Sequence, residues 1–435
     1  MKIKGIFRVA WLVCWLTLPG MAAGAVSVRQ ERAQRVLDEV WSQLAAQNFE
    51  PDFNEKFRKP VYEKFQPEVL SAVDDAELAG VLDRMVHQLG VSHLKVLPPL
   101  GIQAFSALEA ARRPPRNDGT ENWDLSVPGD PGLKLIEAEN AVAVWRVWPE
   151  SAAAVAKIET GELVLAIDGI PLLADKDTPL GWAMIGQALL TGPPGSSVAV
   201  RLRNAAGAER EVTLTRQRMG TKFLEFGIMP RAFLDYWSEW LPGDILYIHF
   251  SAFYPEAVKR LRYDVSKRYP GAKGLIVDVR NNAGGILTMG QWVVSWCVPK
   301  VLPLGEMTIA QTSLKLESWP QQQTFRGPVA VLLNRDSYST AEIFAGCLQD
   351  AAGAVLFGET SAGMCLPSNF VLLESGFRLQ TVVGSYVRPA GGEIEGLGVE
   401  PDRVVPVRLD SLRSGKDDVV DAAAEYLRSE LGTQP

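Results

Sequence analysis

Four short apolar runs in the second half of the chain constrain its fold most: ILYIHF (245–250), GLIVDVR (274–280), VAVLLN (329–334) and AVLFG (354–358). Each is of strand length, and each is too continuously apolar to keep one face in water. Between them lie segments with helical spacing. YPEAVKRLRYDVSKRY (254–269) follows the first run, and Ile343, Phe344, Cys347 and Leu348 recur at helical intervals after the third. Buried strands alternating with helices predict an α/β layer with a mostly parallel sheet.

The first half reads differently. Val36, Leu37, Val40, Trp41 and Leu44 form an amphipathic stripe within a helical stretch over residues 28–92. Asp75 and Glu77 open a second helical pattern through Leu78, Val81, Leu82, Met85 and Leu89, with Gly90 as its stop. ARRPPRNDGTENWD (111–124) has the composition of a linker. Residues 132–216 are strand-rich, in NAVAVWRVW, GELVLAIDG, SSVAVRLRN and REVTLTRQ, with a short helix expected in ESAAAVAKI (150–158). Residues 416–430 predict a closing amphipathic helix.

At 435 residues, two or three domains are expected. A net charge of −7 without a basic patch argues against a nucleic-acid partner. Lys2, Lys4 and Arg8 precede the apolar stretch VAWLVCWLTLPG, and Ala23-Gly24-Ala25 suits cleavage. That order predicts a signal peptide over residues 1–25 and an exported chain, periplasmic or secreted, with no stable membrane span after cleavage. The remaining cysteines, Cys297, Cys347 and Cys365, are odd in number, which leaves at least one free thiol. Their spacing suits no metal site.

NRDSYSTAEIFAG (334–346) joins an apolar strand to a helix through a turn rich in hydroxyls. Ser339 followed by Glu342 is a capping-box pattern, in which the serine hydroxyl takes one orphan N–H and the glutamate another. A strand-to-helix turn also aims a hydroxyl out of the sheet at the positive end of a helix, as a nucleophile requires. These residues alone leave both readings open.

Three stretches together resemble the S41 family of serine peptidases. GLIVDVRNNAGG (274–285) is similar to the family's strand and Asp-x-Arg-x-Asn-x-Gly-Gly turn. NRDSYSTAEIFAGCLQDAAGAVLFGETSAG (334–363) is similar to its nucleophile helix and the Gly-x-x-Thr-x-Gly turn after it. GLGVEPDRVVPV (396–407) is similar to its closing motif. The middle segment, from Ser151-Ala152-Ala153 to Asp168-Gly169, resembles PDZ domains, which take up extended peptides by strand addition.

The resemblance implies an α/β fold with a ClpP/crotonase-like catalytic core, an N-terminal helical segment and a PDZ-like β-rich domain. The implied division is signal peptide 1–25, helical segment 26–110, PDZ-like domain 124–218 and catalytic domain 219–435. Ser339 falls on the family's nucleophile. The Gly284-Gly285 turn and the Thr340 amide fall on its oxyanion hole. No metal or cofactor is implied, and the expected partner is a peptide or protein substrate, bound in part through the PDZ-like domain.

One departure selects a branch. Met364 stands where the C-terminal processing peptidases carry their lysine base, and Ser368 where a glutamine supports it. Of the three histidines, His87 and His249 suit packed or surface roles. Ser92-His93, at a helix exit, resembles the Ser-His of the tricorn branch, which also has a glutamate before the closing motif. Glu395 matches that position best; Glu393 is a near competitor and Glu400 lies inside the motif. The implied tetrad is Ser339, His93, Ser92 and Glu395, with His93 as general base and activity rising between about pH 6 and 8. A competing expectation is a non-catalytic S41-like module that binds a peptide or a lipophilic ligand.

Overall fold

The computed structural model describes residues 19–47, 53–99, 129–172, 181–218, 224, 226–229, 234–309 and 312–432. Residues 1–18 of the expected signal peptide and the linker expected at 111–124 lie outside them. Among the described residues no helix is long and apolar enough to cross a membrane.

Helix α1 (Pro19–Gln47) buries the stripe Val36, Leu37, Val40, Trp41 and Leu44. Helix α2 (Asp75–His87) starts one residue later than its cap, Asp74, whose carboxylate accepts from the Glu77 N–H at 2.8 Å. The Glu77 carboxylate returns to the Val73 N–H at 2.7 Å, so the box closes around Asp74 rather than Asp75. Gly90 adopts a left-handed φ of 69° just beyond the helix, and strand β1 (Lys95–Leu97) follows.

The middle of the chain forms strands β2 (Leu133–Ala138), β3 (Ala141–Val147) and β4 (Leu163–Ile167), helix α3 (Trp182–Leu190), and strands β5 (Ser197–Arg203) and β6 (Glu209–Thr215). The strands pair antiparallel in the order β2-β3-β4-β5-β6. Leu133, Val144, Ile167, Leu189, Val200 and Leu214 fill their own core.

The remainder comprises β7 (Tyr236–Leu241), β8 (Ile245–Phe250), α4 (Pro255–Tyr263), β9 (Gly274–Asp278), α5 (Leu287–Cys297), β10 (Pro303–Ile309) and β11 (Thr312–Glu317). It continues with β12 (Val329–Leu333), α6 (Thr340–Cys347), β13 (Val355–Gly358), β14 (Ser368–Leu372), β15 (Arg378–Val382), β16 (Gly384–Val387), β17 (Arg403–Val404) and α7 (Asp418–Glu430). The central sheet runs β7-β8-β9-β12-β13-β17, parallel from β8 onward. Every residue of β8, β9 and β12 is buried, which accounts for their unbroken apolar runs.

The β14–β15 hairpin leaves this layer. Its strand β15 pairs antiparallel with β1 on one side and with β14 on the other. Leu373, Phe377 and Leu379 thereby share one core with Val36, Leu82 and Val96. The N-terminal helices are packed onto a hairpin that comes from the α/β half.

A buried charge cluster ties the sheet to the closing helix. Arg280, just past β9, bonds Asp278 Oδ2 at 2.6 Å and Asp417 Oδ2 at 2.8 Å. Asp278 also accepts from the Tyr247 hydroxyl at 2.7 Å, and Asp417 from the Trp145 indole N–H at 3.1 Å. Burial alone would raise the Asp278 pKa; the Arg280 guanidinium and its hydrogen bonds win and hold it well below the usual carboxylate range. Removing one partner leaves a buried charge uncompensated. Asp417→Ala should therefore destabilise the fold by about 3 kcal/mol or more, read as a lowered urea midpoint at unchanged m-value. A change within error of zero would show that Arg280 does not depend on this pair.

Candidate active site

Residues 334–339 connect β12 to α6, and hydrogen bonds from three directions fix the turn. Ser337 is fully engaged: its hydroxyl donates to the Val279 carbonyl at 2.7 Å and accepts from the Asn334 N–H at 3.0 Å. Buried and doubly bonded, it is a structural residue. Ser339 differs. It holds φ 60° and ψ −124°, a region that residues with a Cβ rarely enter and that costs about 1–3 kcal/mol.

Two acceptors hold that conformation. The Ser339 N–H lies 2.8 Å from the Met364 carbonyl and 3.0 Å from Glu342 Oε2. The Glu342 N–H and the Ile343 N–H both turn to the Ser339 carbonyl, at 2.9 and 3.2 Å. The glutamate half of the capping box is thus made in full. The hydroxyl faces the Glu342 N–H in the box arrangement, an amide that the Ser339 carbonyl also accepts. The half-buried hydroxyl stands at the N-terminus of α6, the positive end of the helix.

The Asp-x-Arg-x-Asn-x-Gly-Gly turn lies against it. Asn282 anchors this turn, donating from Nδ2 to the Phe250 carbonyl at 2.6 Å and accepting the Gly284 N–H on Oδ1 at 2.9 Å. A Cβ on Gly284 would lie 2.6 Å from Ser339 Cβ and 2.9 Å from the Thr340 nitrogen. The Gly284 amide is therefore spent on Asn282. The amides of Gly285 and Thr340 donate to no acceptor among the described residues, while the Thr340 hydroxyl donates to the Gly285 carbonyl at 2.9 Å. Two unspent N–H groups beside a strained serine make an arrangement that can hold an oxyanion.

Glu342 was legible in the sequence only as a cap. In the structure it is fully buried and accepts from four donors. Besides Ser339, these are the Ser361 hydroxyl at 2.6 Å, the Gly363 N–H at 2.7 Å and the Met364 N–H at 3.0 Å. Burial pushes its carboxyl up to about 7 against those four bonds. Asp336, three residues before Ser339, was not singled out at all. It accepts from the Gly181 N–H at 2.7 Å, at the start of α3, and burial pushes it up to about 7 as well. Its signal in the sequence is only an acid in a turn, and nothing there marks its distant partner.

The base candidates fall as follows. Ser92 Oγ lies 2.9 Å from His93 Nδ1, so one ring nitrogen is pinned and the other is left for chemistry. Burial pushes the imidazole down to about 4, well below the range expected from the sequence. Glu395 accepts from the Cys365 N–H at 2.7 Å, one residue beyond the Met364 carbonyl that holds Ser339. Glu393 is exposed and pairs through its backbone with Val387, and Glu400 is exposed. Among the described residues no hydrogen bond joins His93 to Ser339 or Ser92 to Glu395. The sheet β1-β15-β14 does bring their segments to one edge. Lys95 pairs with Gln380, and Ser368 with Val382, so 92–94 and 365–367 enter the same end two strands apart, about 10 Å. His249 is stacked on Trp237 at 3.8 Å inside the core, and His87 is exposed. Cys297, Cys347 and Cys365 are all buried free thiols.

Gly284→Ala tests the packing of this centre. The new methyl group has to displace the Ser339 backbone, and a misplacement of about 1 Å costs around 100-fold in reactivity. Labelling of Ser339 by a fluorophosphonate should fall by about that factor while the circular dichroism spectrum is kept. Unchanged labelling would mean that the turn has room the geometry denies.

Residues 244–405 match the model of peptidase family S41. A carboxyl-terminal-processing protease of Synechocystis sp. is 31% identical over 284 residues, which is 64% of this chain and 62% of that protein. The chain thus spans less than two thirds of that relative. Two solved structures share the fold. The photosystem II D1 C-terminal processing protease is 22% identical, with a TM-score of 0.52 and coverage of 92% of this chain and 97% of that one. The tricorn protease is 19% identical, with a TM-score of 0.53 and coverage of 93% and 37%. The residues that match the model of peptidase family S41, 244–405, carry the strained serine and both glycine turns.

Proposed function

We propose that this chain is an exported serine endopeptidase of the tricorn-like branch, cleaving peptide bonds through an acyl-enzyme on Ser339. The observation that carries the reading is the strained Ser339 at the N-terminus of α6, set beside the unspent amides of Gly285 and Thr340. Ser339 Oγ attacks the substrate carbonyl, and His93 takes its proton. The two amides receive the oxyanion; each such donor contributes about 3 kcal/mol in the transition state. Collapse expels the amine, which takes the proton back from His93, and water then releases the acyl group. Ser92 is a positioning residue for the imidazole, and Glu395 orients Ser92. Residues 26–110, 124–218 and 219–435 serve as helical, PDZ-like and catalytic units. The name of the Synechocystis relative favours a protein substrate cut near its C-terminus.

His93 and Ser339 share no hydrogen bond among the described residues, and catalytic hydrogen bonds often tighten only with substrate bound. The open relay, with Met364 in place of a basic side chain, is the one observation that favours a second reading, a non-catalytic peptide-binding module. A fluorophosphonate separates them: covalent labelling at Ser339 supports the enzyme, and its absence supports the binder.

Ser339→Ala should abolish hydrolysis of a casein or peptide substrate and lower stability by only about 1 kcal/mol, the worth of one helix cap. Activity surviving in Ser339→Ala, or lost in Ser337→Ala at full stability, places the nucleophile elsewhere.

The pH profile follows from the buried imidazole. With its pKa lowered from an ordinary 6.5 to about 4, His93 is already neutral, and so a competent base, above about pH 5. The acid limb of kcat/KM should therefore centre near pH 4 rather than between 6 and 8. Stability runs in the same direction: between those pKa values the unfolded chain binds the proton and the folded chain does not, so the contribution present above pH 6.5 is lost as pH falls towards 4. His93→Ala should remove the limb and lower kcat/KM by about 10³-fold. A limb that persists in His93→Ala belongs to another group and overturns the assignment.

A further inference from the structure

A groove of about 780 Å³ opens beside the reaction centre, between α4, α5 and residues 321–323. Helix α4 turns Pro255, Val258, Lys259 and Arg262 towards it, the i, i+3, i+4, i+7 face opposite the buried Ala257 and Leu261. Helix α5 contributes Met289, Trp292 and Trp296. The near end adjoins the unspent amides. The Phe253 N–H donates to the Gly284 carbonyl at 2.7 Å and the Ile286 N–H to the Phe253 carbonyl at 2.9 Å, and Pro255 and Met289 follow directly. A Cβ on Gly290 would lie 2.7 Å from Thr340 Cγ2. From Met289 to Trp296 the groove runs about 10 Å along the helix, room for about three extended residues.

Its chemistry is selective. Lys259 and Arg262 are exposed, and neither forms an ion pair among the described residues, although the chain carries a net charge of −7. Glu256, the acid of α4, is not among the residues lining the groove. The Arg262 guanidinium sits 5.8 Å from the Trp296 ring centroid, within cation–π reach, and its N–H groups can still meet a carboxylate. Trp292, half-buried, offers a ring face at the middle of the groove. Two unmatched cations beside two indoles complement an anion that carries an apolar body.

We propose that this groove is a substrate subsite for an acidic peptide segment, holding an Asp or Glu carboxylate on Lys259 and Arg262 and an adjacent aromatic or branched side chain on Trp292, within about three residues of the scissile bond. The proposal rests on the peptidase reading for its hydrolytic role and on the groove alone for binding.

The test uses the full exported chain and pairs of fluorogenic peptides that share one scissile segment. They differ by Glu against Gln within three residues of the cleaved bond, placed on each flank in turn. On one flank the wild-type protein should favour the acidic peptide by about tenfold or more in kcat/KM at low salt, and the preference should shrink as ionic strength rises. Lys259→Glu with Arg262→Glu should bring the acidic-to-neutral ratio to one or below. Arg262→Gln, a milder surface change, should lower it part of the way. A wild-type ratio near one on both flanks, or a ratio unchanged in these folded variants, overturns the subsite and leaves hydrolysis standing. Binding is read separately in Ser339→Ala, where the acidic peptide should quench tryptophan emission and Trp292→Phe should diminish that quench. Charge-dependent quenching without any turnover by the wild type supports the groove while removing the peptidase reading.

Discussion

The buried carboxylate of Glu342 is the constraint on which the site depends. It lies at the first turn of α6, where the helix leaves amides without intrahelical partners. Instead of one return bond it collects four donors, from Ser339, Ser361, Gly363 and Met364. Ser361 in turn accepts the Val399 N–H at 2.6 Å, so the closing motif is drawn into the same knot. Two segments meet on the Glu342 side chain, and a third, some sixty residues beyond Ser339, joins them through Ser361. The strain at Ser339 persists because this knot leaves its backbone no relaxed alternative. A carboxyl with a pKa near 7 in such a place is a compromise: burial favours the neutral form, and four N–H and O–H donors favour the anion.

The second half of the site is held by a different logic. Asp278 and Arg280 are too buried to meet solvent or substrate, and their role is to end β9 at a fixed point against α7. Asn282 then sets the glycine turn by spending its side chain on both the Phe250 carbonyl and the Gly284 amide. Only after those bonds are made is the Gly285 amide left over. The β-rich middle unit touches this construction through the Asn281 side chain on the Leu135 carbonyl at 2.8 Å, Asp336 on the Gly181 amide, Arg335 on Glu137 and Trp145 on Asp417. Any shift of that unit reaches the turn before Ser339 through bonds rather than through solvent.

Much of this was written in local pattern. Buried parallel strands announce themselves by unbroken apolar runs, and β8, β9, β12 and β13 all lie where those runs stand. Ser339 and the glycine turn were legible because a strand-to-helix turn and a Gly-Gly pair have few other uses. The β14–β15 hairpin was not legible: its residues alternate between faces, and its partner β1 lies almost 300 residues earlier. That pairing arises from the tertiary core that Leu379 and Phe377 share with Val36 and Leu82. The Gly284 amide was assigned to the oxyanion hole with Gly285, whereas only the hydrogen-bond partners of Asn282 reveal that it is spent. The four-donor role of Glu342 was hidden for the same reason, since a capping pattern names one partner and burial supplies the rest.

The same hairpin bears on the base. With Met364 unable to accept a proton, a basic group has to come from outside the segment that holds Ser339. Antiparallel pairing of β15 with both β14 and β1 makes those two strands parallel to each other, so their leading residues emerge at one edge. Ser92-His93 and the Met364–Cys365 segment are those leading residues. A hydrophobic core, rather than a flexible linker, holds the strand that follows Ser92-His93 to this hairpin. The position of His93 is therefore tied, through Leu94 and Val96, to the N-terminal helices and the hairpin together. The low pKa of the imidazole has the same origin, because a ring buried in this way keeps its neutral form at lower cost than the charged one.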